Sequence, residues 1–264
     1  MSEDRLHPNL VLHRHGPVEI LRVDREEAMG ALNLEILTAL GDYVNGLYQR
    51  KDEVRVLILT GTGRSFVAGT DKARYQSARQ TVFDEFQRRY RMTFEAVANL
   101  PQATICAVNG YALGGGFELA LCCDFVFVNE KTKLGLPEIR LGLLPDGGGT
   151  RRLPGLVGPM RAREILVTGR MINARQAVEY GVALEACAPD KLMARAMEFA
   201  DGLAQMAPVA LREALRVADD GLDAALTAGL TMEQRAPGAL LANEDGKQAI
   251  GAFIDKREPV FKGR

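Results

Sequence analysis

The chain has 264 residues, of which 47% are hydrophobic and 25% charged, so it carries enough apolar material to bury a substantial core. A formal net charge of −1 and the lack of a long basic run exclude a general surface for nucleic acids or anionic membranes. The N-terminus is polar, and no apolar run approaches the roughly 18 residues of a membrane span. We therefore expect a globular cytoplasmic protein.

Apolar runs rich in valine, isoleucine and leucine predict strands in the first half of the chain. In chain order they are Leu10 to Leu12, Val18 to Val23, Val54 to Thr60, Ile105 to Val108 and Phe125 to Val128. Between them, apolar residues at helical spacing predict helices over Asn33 to Lys51 and Thr81 to Leu100. Strand-strand-helix units recur along this part, which indicates an α/β core.

After about Pro159 the strand signals largely stop, and helical patterns take over. Leu192, Ala196, Phe199, Leu203 and Met206 form one apolar stripe before Pro208. Further helical patterns cover Val209 to Ala218, Leu222 to Gln234 and Asp245 to Lys256. The sequence thus divides into an α/β core over residues 1–195 and a helical C-terminal region over residues 196–264.

The segment from Thr104 to Leu153 combines two glycine triplets with Glu118, Glu138 and Asp146. Its predicted strand leads through Asn109-Gly110 to Gly114-Gly115-Gly116, which opens a segment with helical potential. The first amides of a helix lack intrahelical partners and carry the positive end of its dipole, so such a terminus suits a developing oxyanion. Glu118 follows Gly115 by three residues and lies on the same helical face. The pattern is typical of an active site.

Several common catalytic arrangements are missing. All three histidines, His7, His13 and His15, lie in the first fifteen residues, which argues against a histidine-based triad or metal site. Neither glycine triplet completes G-x-G-x-x-G, and no P-loop sequence occurs. The four cysteines occupy apolar segments without metal-ligand spacing, as expected of core residues in a reducing compartment.

Four motifs in order along the chain resemble the crotonase family, that is, enoyl-CoA hydratases and isomerases. They are SFVAGTD at 65–71, AVNGYALGGGFELALCCDF at 107–125, LPEIRLGLLPDGGGTRRLP at 136–154 and FIDKREPVFKGR at 253–264. The resemblance implies a spiral of ββα units with a helical C-terminal trimerisation region, assembled as a homotrimer or a dimer of trimers. It also implies acyl-CoA thioester substrates, with coenzyme A as part of the substrate and no prosthetic group or metal.

By the same resemblance, the backbone amides of Thr70 and Gly115 stabilise a thioester enolate, and two glutamates transfer protons. Glu118 matches the base that activates water for attack on Cβ of a trans-2-enoyl-CoA, and Glu138 matches the acid that protonates Cα. If the carboxylates lie about 5 Å apart at an effective dielectric near 20, their repulsion is roughly 3 kcal/mol, or about two pKa units. We expect that repulsion to let the pair share one proton near neutral pH.

Asp146 departs from the hydratase pattern, because many hydratases have an uncharged residue there. In relatives that shift double bonds, or that act on carnitine-derived or aromatic thioesters, this position is aspartate. Enoyl-CoA or dienoyl-CoA isomerase and carnitinyl-CoA dehydratase-like activity therefore remain alternatives to hydration. Asp146 could also cap the helix that follows Gly147-Gly148-Gly149. Non-catalytic acyl-CoA binding and RNA binding are more remote alternatives.

The resemblance assigns contacts with coenzyme A to only a few positions of this sequence. The carbonyl of Ala68 matches an adenine contact, Gly69 belongs to the same loop, and Phe253 and Lys256 match positions near the adenine and its 3′-phosphate. Lys72 stands where related chains have an apolar residue and has no explanation. The segment from Tyr75 to Phe94 resembles the variable helices that roof the acyl pocket.

Overall fold

The computed structural model describes residues 2–71, 80–224, 228, 240 and 243–263. The strands are β1 (Ser2–His7), β2 (Leu10–His15), β3 (Val18–Val23), β4 (Val56–Gly61), β5 (Ser65–Val67), β6 (Ala103–Val108), β7 (Tyr111–Leu113), β8 (Phe125–Asn129), β9 (Lys133–Gly135), β10 (Met171–Asn173) and β11 (Glu185–Cys187). The helices are α1 (Leu34–Leu47), α2 (Gln80–Ala98), α3 (Gly115–Ala120), α4 (Gly149–Val157), α5 (Pro159–Thr168), α6 (Ala174–Glu179), α7 (Leu192–Ala204), α8 (Pro208–Asp223) and α9 (Glu244–Ile254). A 3₁₀ helix covers Pro137–Leu141.

The larger sheet has seven strands in the order β1-β2-β3-β4-β6-β8-β11. Its first three strands are antiparallel to one another, and each pairing from β3 to β11 is parallel. Successive side chains of a strand point to opposite faces, and both faces of the central strands are apolar. In β4, Leu57 and Leu59 join the main core, whereas Val56 and Ile58 join a second apolar cluster on the other face.

Helix α7 covers that second face. Its inward residues include Ala196, Ala200 and Ala204, which recur every four residues and so lie on one side of the helix. Their small side chains let the helix lie close to Ala103 and Ile105 of β6. The boundary expected between residues 195 and 196 therefore falls inside a helix that packs on the larger sheet.

A smaller sheet of three-residue strands lies in the order β10-β9-β7-β5. Strands β5, β7 and β9 run parallel, and β10 is antiparallel to β9. The chain places β4, β6 and β8 in the larger sheet and follows each with β5, β7 or β9 in the smaller one. Helix α2 returns it to the larger sheet after β5 and α3 does so after β7, whereas β9 is followed by β10 of the smaller sheet before α6 leads to β11. This alternation is the expected strand-strand-helix repeat.

The predicted strands and most of the predicted helices are confirmed with small shifts of their ends. The helix predicted for Leu222 to Gln234 lies mostly outside the described residues. Six strands were missed: β1, β5, β7, β9, β10 and β11. Five of them have three residues each, too few to show any periodicity. Among the described residues, no helix is long and apolar enough to cross a bilayer.

Asn109 ties the two sheets together directly after β6. Its side chain accepts a hydrogen bond from the amide of Gly61 at 3.1 Å and donates to the carbonyls of Gly63 and Ser65, both at 3.0 Å. We expect Asn109→Ala to lower the free energy of unfolding by about 2–4 kcal/mol, because three backbone groups lose their partner.

Urea denaturation of the wild type and the variant measures this loss. Asn99→Ala is the control, since Asn99 is exposed and its side chain donates to the carbonyl of Glu95, one turn earlier in the chain. We expect this control to change stability by less than about 0.5 kcal/mol. Equal effects of the two substitutions would contradict the assigned role of Asn109.

Candidate active site

Three segments of the site follow neighbouring strands of the smaller sheet. Gly69 and Thr70 follow β5, Gly114 and Gly115 follow β7, and Glu138 follows β9. Because these strands are parallel, their carboxyl ends meet at one edge of the sheet. The sheet thus brings together residues that are up to 69 positions apart in the sequence.

Thr70 lies in extended backbone beside Leu32. The amide of Leu32 donates to the carbonyl of Gly69 at 2.9 Å, and the amide of Asp71 donates to the carbonyl of Leu32 at 2.8 Å. Because alternate groups of an extended chain face opposite sides, the N–H of Thr70 points away from Leu32. The carboxylate of Asp71 accepts from the Arg25 guanidinium at 2.9 Å, which holds this segment in place.

The turn at Gly114 places the start of α3 next to that segment. Gly114 has φ 53° and ψ −123°, a conformation open to glycine, and a Cβ there would overlap Oε1 of Glu138. The same Cβ position is 3.9 Å from the Cα atom of Gly69. As the first residue of α3, Gly115 has an amide without an intrahelical acceptor. The segments that carry the Thr70 and Gly115 amides are therefore adjacent.

The carboxylate of Glu118 is buried, with 1% of the residue exposed. Its Oε1 atom accepts hydrogen bonds from the amides of Gly147 and Gly149, each at 2.8 Å. Its Oε2 atom accepts from the hydroxyl of Tyr90 at 2.8 Å. Gly149 begins α4, so the carboxylate also lies at the positive end of that helix dipole.

Burial raises the pKa of Glu118 from 4.5 to about 7. The hydrogen bonds from Gly149 and Tyr90 lower it, and the charges of Asp146 and Glu138 raise it further. The sequence predicted a raised affinity for protons from repulsion between two glutamates. The direction of the pKa shift agrees with that prediction, but the larger cause is loss of water from one carboxylate.

Glu138 lies in the 3₁₀ helix after β9 and is 7% exposed. Pro137 begins this helix and Gly142, at φ 69°, ends it, so the local sequence defines both ends. A Cβ at Gly114 would overlap Oε1 of Glu138, so this carboxylate lies against the turn that precedes α3. Glu138 therefore lies beside the start of α3, the helix that carries Glu118, and its charge raises the pKa of Glu118.

Asp146 is exposed and directly precedes Gly147, whose amide binds Glu118. It lines a cavity of about 240 Å³. The other residues of that cavity are Arg91, Phe94, Glu95, Pro145, Gly147, Gly148, Thr150 and Arg152. The sequence also allows Asp146 to cap the following helix. In the structure a different carboxylate, that of Glu118, takes the amide of Gly149 at the start of α4.

Tyr90 belongs to the site, and it lies in the segment whose aromatic residues the sequence assigns either to the roof of the acyl pocket or to the core. It is 1% exposed and its ring packs between Phe86 and Phe94, with centroid distances of 5.9 and 4.2 Å. In the sequence these residues form an i, i+4, i+8 apolar stripe, which equally predicts an ordinary core face. Only the fold, which places α2 over α3, distinguishes the hydroxyl of Tyr90 from its apolar neighbours.

The residues expected to bind coenzyme A lie in two places. Ala68 and Gly69 are at the carboxyl edge of the smaller sheet, where the amide of Ala68 donates to the carbonyl of Met29 at 3.0 Å. Phe253, 84% exposed, and Lys256 are at the end of α9. Lys72 and the whole segment between it and α2 lie outside the described residues.

Helix α9 is anchored through the C-terminal tail. Buried Asp245, in the first turn of α9, accepts the amides of Lys262 and Gly263, each at 2.7 Å. The carbonyl of Phe261 accepts from Arg55 at 3.4 Å, and Arg55 precedes β4. The tail is thus attached at the amino ends of the parallel strands, whereas Glu118 and its neighbours lie beyond their carboxyl ends.

Comparison with known proteins gives one consistent result. The sequence profile of the enoyl-CoA hydratase/isomerase family matches residues 14–264. The chain is 35% identical to a crotonyl-CoA hydratase of Syntrophomonas wolfei over 96% of its length and 97% of that protein. It is 35% identical to a short-chain-enoyl-CoA hydratase of Clostridium acetobutylicum, with 97% and 98% covered. The crystal structure of an enoyl-CoA hydratase from Bacillus anthracis matches with a TM-score of 0.90 at 35% identity, covering 97% of this chain and all of that one.

The raised pKa of Glu118 makes stability depend on pH. Below about pH 4.5 the group is protonated in both states, whereas between about 4.5 and 7 the folded state binds the proton more tightly than the unfolded state. Stability from this group is therefore lost as the pH rises through that window, by about 3 kcal/mol in total. We expect Glu118→Gln to remove this part of the dependence of the free energy of unfolding on pH.

Urea denaturation of both proteins at intervals from pH 4.5 to 8 measures the difference. Glu85→Gln, which removes an exposed carboxylate from α2, controls for the change in net charge. Parallel stability curves for the wild type and Glu118→Gln would show that the buried carboxylate does not have the raised pKa.

Proposed function

This chain belongs to the enoyl-CoA hydratase/isomerase family, and on that basis we propose that it adds water across the 2,3 double bond of a trans-2-enoyl-CoA thioester. The observation that carries the proposal is the buried Glu118 carboxylate, fixed by two amides and a hydroxyl beside Glu138. Burying a carboxylate is costly, and hydrogen bonds offset that cost without making the group neutral. An ionisable pair of this kind suits general acid and base chemistry.

The amides of Thr70 and Gly115 are the proposed donors to the thioester oxygen. The first points away from Leu32, and the second begins α3 at the adjacent turn. Two such donors stabilise the negative charge that develops on the oxygen as the enolate forms. Each is expected to contribute on the order of 3 kcal/mol to transition-state stabilisation. Because the donors are backbone groups, a threonine at position 70 does not remove one.

Glu118 acts as the base and Glu138 as the acid in the proposed reaction. Water forms its bond to Cβ while its proton moves to Glu118, and the proton of Glu138 moves to Cα. The reaction leaves Glu118 protonated and Glu138 ionised, so the transfer of one proton between them restores the starting state. A pKa of about 7 for Glu118 leaves a useful fraction of the base ionised at neutral pH.

The coenzyme A part of the substrate is proposed to contact Ala68 and Gly69 through the backbone. Phe253 and Lys256 are proposed to contact the adenine and its 3′-phosphate. Their helix is anchored at the amino ends of the parallel strands, so these two residues fit best on a nucleotide bound to a neighbouring copy. A homotrimer or a dimer of trimers would bring such copies together.

Double-bond isomerisation is the second candidate, and the position of Asp146 favours it. Asp146 lines the same cavity as Gly147, and its charge raises the pKa of both Glu118 and Tyr90. A carboxylate there could move a proton at a carbon farther along the acyl chain than Cα. The same oxyanion donors would serve that reaction.

We expect Glu118→Gln and Glu138→Gln each to lower kcat for hydration of a short trans-2-enoyl-CoA by about 10²–10⁴-fold, because each removes one proton-transfer group. The loss of absorbance of the conjugated enoyl thioester measures the rate. For the wild type, kcat/KM should depend on two ionisations.

Glu85→Gln is the matched control, because it makes the same change at an exposed position on α2. It should keep wild-type rates. Hydration that persists in either active-site variant, or a profile of kcat/KM against pH with a single ionisation, would contradict the two-glutamate mechanism.

The role of Asp146 is tested with 3-enoyl-CoA substrates. We expect Asp146→Asn to change hydration of trans-2-enoyl-CoA by less than about threefold, and to lower any conversion of 3-enoyl to 2-enoyl thioester by about 10²-fold or more. Appearance of the conjugated absorbance band measures the conversion. Unchanged isomerisation in Asp146→Asn would exclude Asp146 as the proton carrier.

A further inference from the structure

The hydrogen bonds to Glu118 leave little of its carboxylate available. An ionised carboxylate offers about four lone-pair positions. Two on Oε1 accept from the amides of Gly147 and Gly149, and one on Oε2 accepts from the hydroxyl of Tyr90. With the donors that the described residues supply, one position remains, on the same oxygen that Tyr90 contacts. A water molecule that gives its proton to Glu118 must approach this position.

Tyr90 also touches both glycine segments that carry donor amides. A Cβ at Gly115 would lie 2.5 Å from the Tyr90 hydroxyl oxygen, and a Cβ at Gly147 would lie 2.6 Å from Cε1 of its ring. The hydroxyl therefore lies between the proposed oxyanion donor and the base. Both contacts require glycine, because any side chain would displace the ring.

The position of Tyr90 is itself fixed by the packing of α2. Its ring is enclosed by Phe86 and Phe94. Helix α2 lies close against α1, where Thr93 Oγ1 donates to the carbonyl of Leu37 at 3.2 Å and would be 2.9 Å from a Cβ at Gly41. Burial, and then the charge of Glu118, raise the pKa of Tyr90 well above its ordinary value. Its hydroxyl thus stays protonated at neutral pH and donates a hydrogen bond to the carboxylate.

We propose that Tyr90 is a positioning residue for the hydration reaction, whose hydroxyl directs the one remaining lone pair of Glu118 toward the attacking water. The inference rests on the proposed function and adds to it a residue on a different helix. Tyr90 holds the base in one orientation and neither gives up nor gains a proton during the reaction. The water proton goes to Oε2 of Glu118.

Tyr90→Phe removes the hydroxyl and keeps the packed ring. We expect kcat to fall about 10–100-fold while KM changes less than about threefold, because the acyl-CoA contacts stay in place. The Tyr90 hydrogen bond lowers the pKa of Glu118, so its loss raises that pKa. The acidic limb of kcat/KM should therefore move to higher pH, by about one unit.

Tyr48→Phe is the matched control. The Tyr48 hydroxyl donates to the carbonyl of Ala96 on the same helix α2, at 3.2 Å, away from Glu118. This variant should keep the kcat of the wild type and the wild-type position of the acidic limb of kcat/KM. A fall in kcat for Tyr90→Phe with an unmoved acidic limb would reduce Tyr90 to a packing residue and overturn the proposal, as would an unchanged kcat.

A second measurement does not depend on activity. Urea denaturation of Tyr90→Phe at intervals of pH should place the end of the pH-dependent loss of stability about one unit higher than in the wild type. An identical end point would show that the hydroxyl does not act on Glu118. If Glu118→Gln remains active, the proposed function fails, whereas this measurement tests the Tyr90 contact by itself.

Discussion

The rest of the site depends on the burial of one carboxylate. Glu118 has almost no contact with solvent, so its charge must be met by protein donors, and three arrive from two other parts of the chain. Gly149 at the start of α4 and Gly147 just before that helix supply two amides, and helix α2 supplies a hydroxyl. Each of these helices is thereby fixed relative to α3. The group that carries the proposed chemistry is also one of the groups that hold the layers together.

The smaller sheet supplies the second requirement, which is the alignment of short loops. Its parallel strands end at one edge, so the segments after β5, β7 and β9 meet although they are far apart in the sequence. Parallel pairing leaves little freedom in where each segment begins. This explains how strands of only three residues can position backbone amides accurately. The larger sheet and its helices provide the buried area that makes such short strands stable.

Much of this could be predicted from the sequence, for reasons that are local. Five strands of the larger sheet, β2, β3, β4, β6 and β8, are apolar runs. Gly114 to Glu118 comes shortly after one of them as a helix start, so the sequence alone places the proposed oxyanion donor and the proposed base in one segment. The smaller sheet could not be predicted, because a strand such as Tyr111–Leu113 is defined by its neighbours rather than by its own residues. The contact of Tyr90 with Glu118 could not be predicted, because the spacing of Tyr90 is that of any buried helix face. The raised pKa of Glu118 was expected from charge repulsion, whereas its main cause is burial, a property that exists only in the folded chain.

The covering of the larger sheet by α7 has a consequence for synthesis of the protein on the ribosome. The three residues that donate hydrogen bonds to Glu118 lie before α5, and those of α7 that cover the second face of the sheet come later, in Leu192–Ala204. A nascent chain that ends at α6 contains these three donors, yet exposes Val56, Ile58 and their neighbours to water. Such an exposed apolar face favours association with other chains. Helix α7 therefore protects the earlier, already encoded site from aggregation once it has emerged.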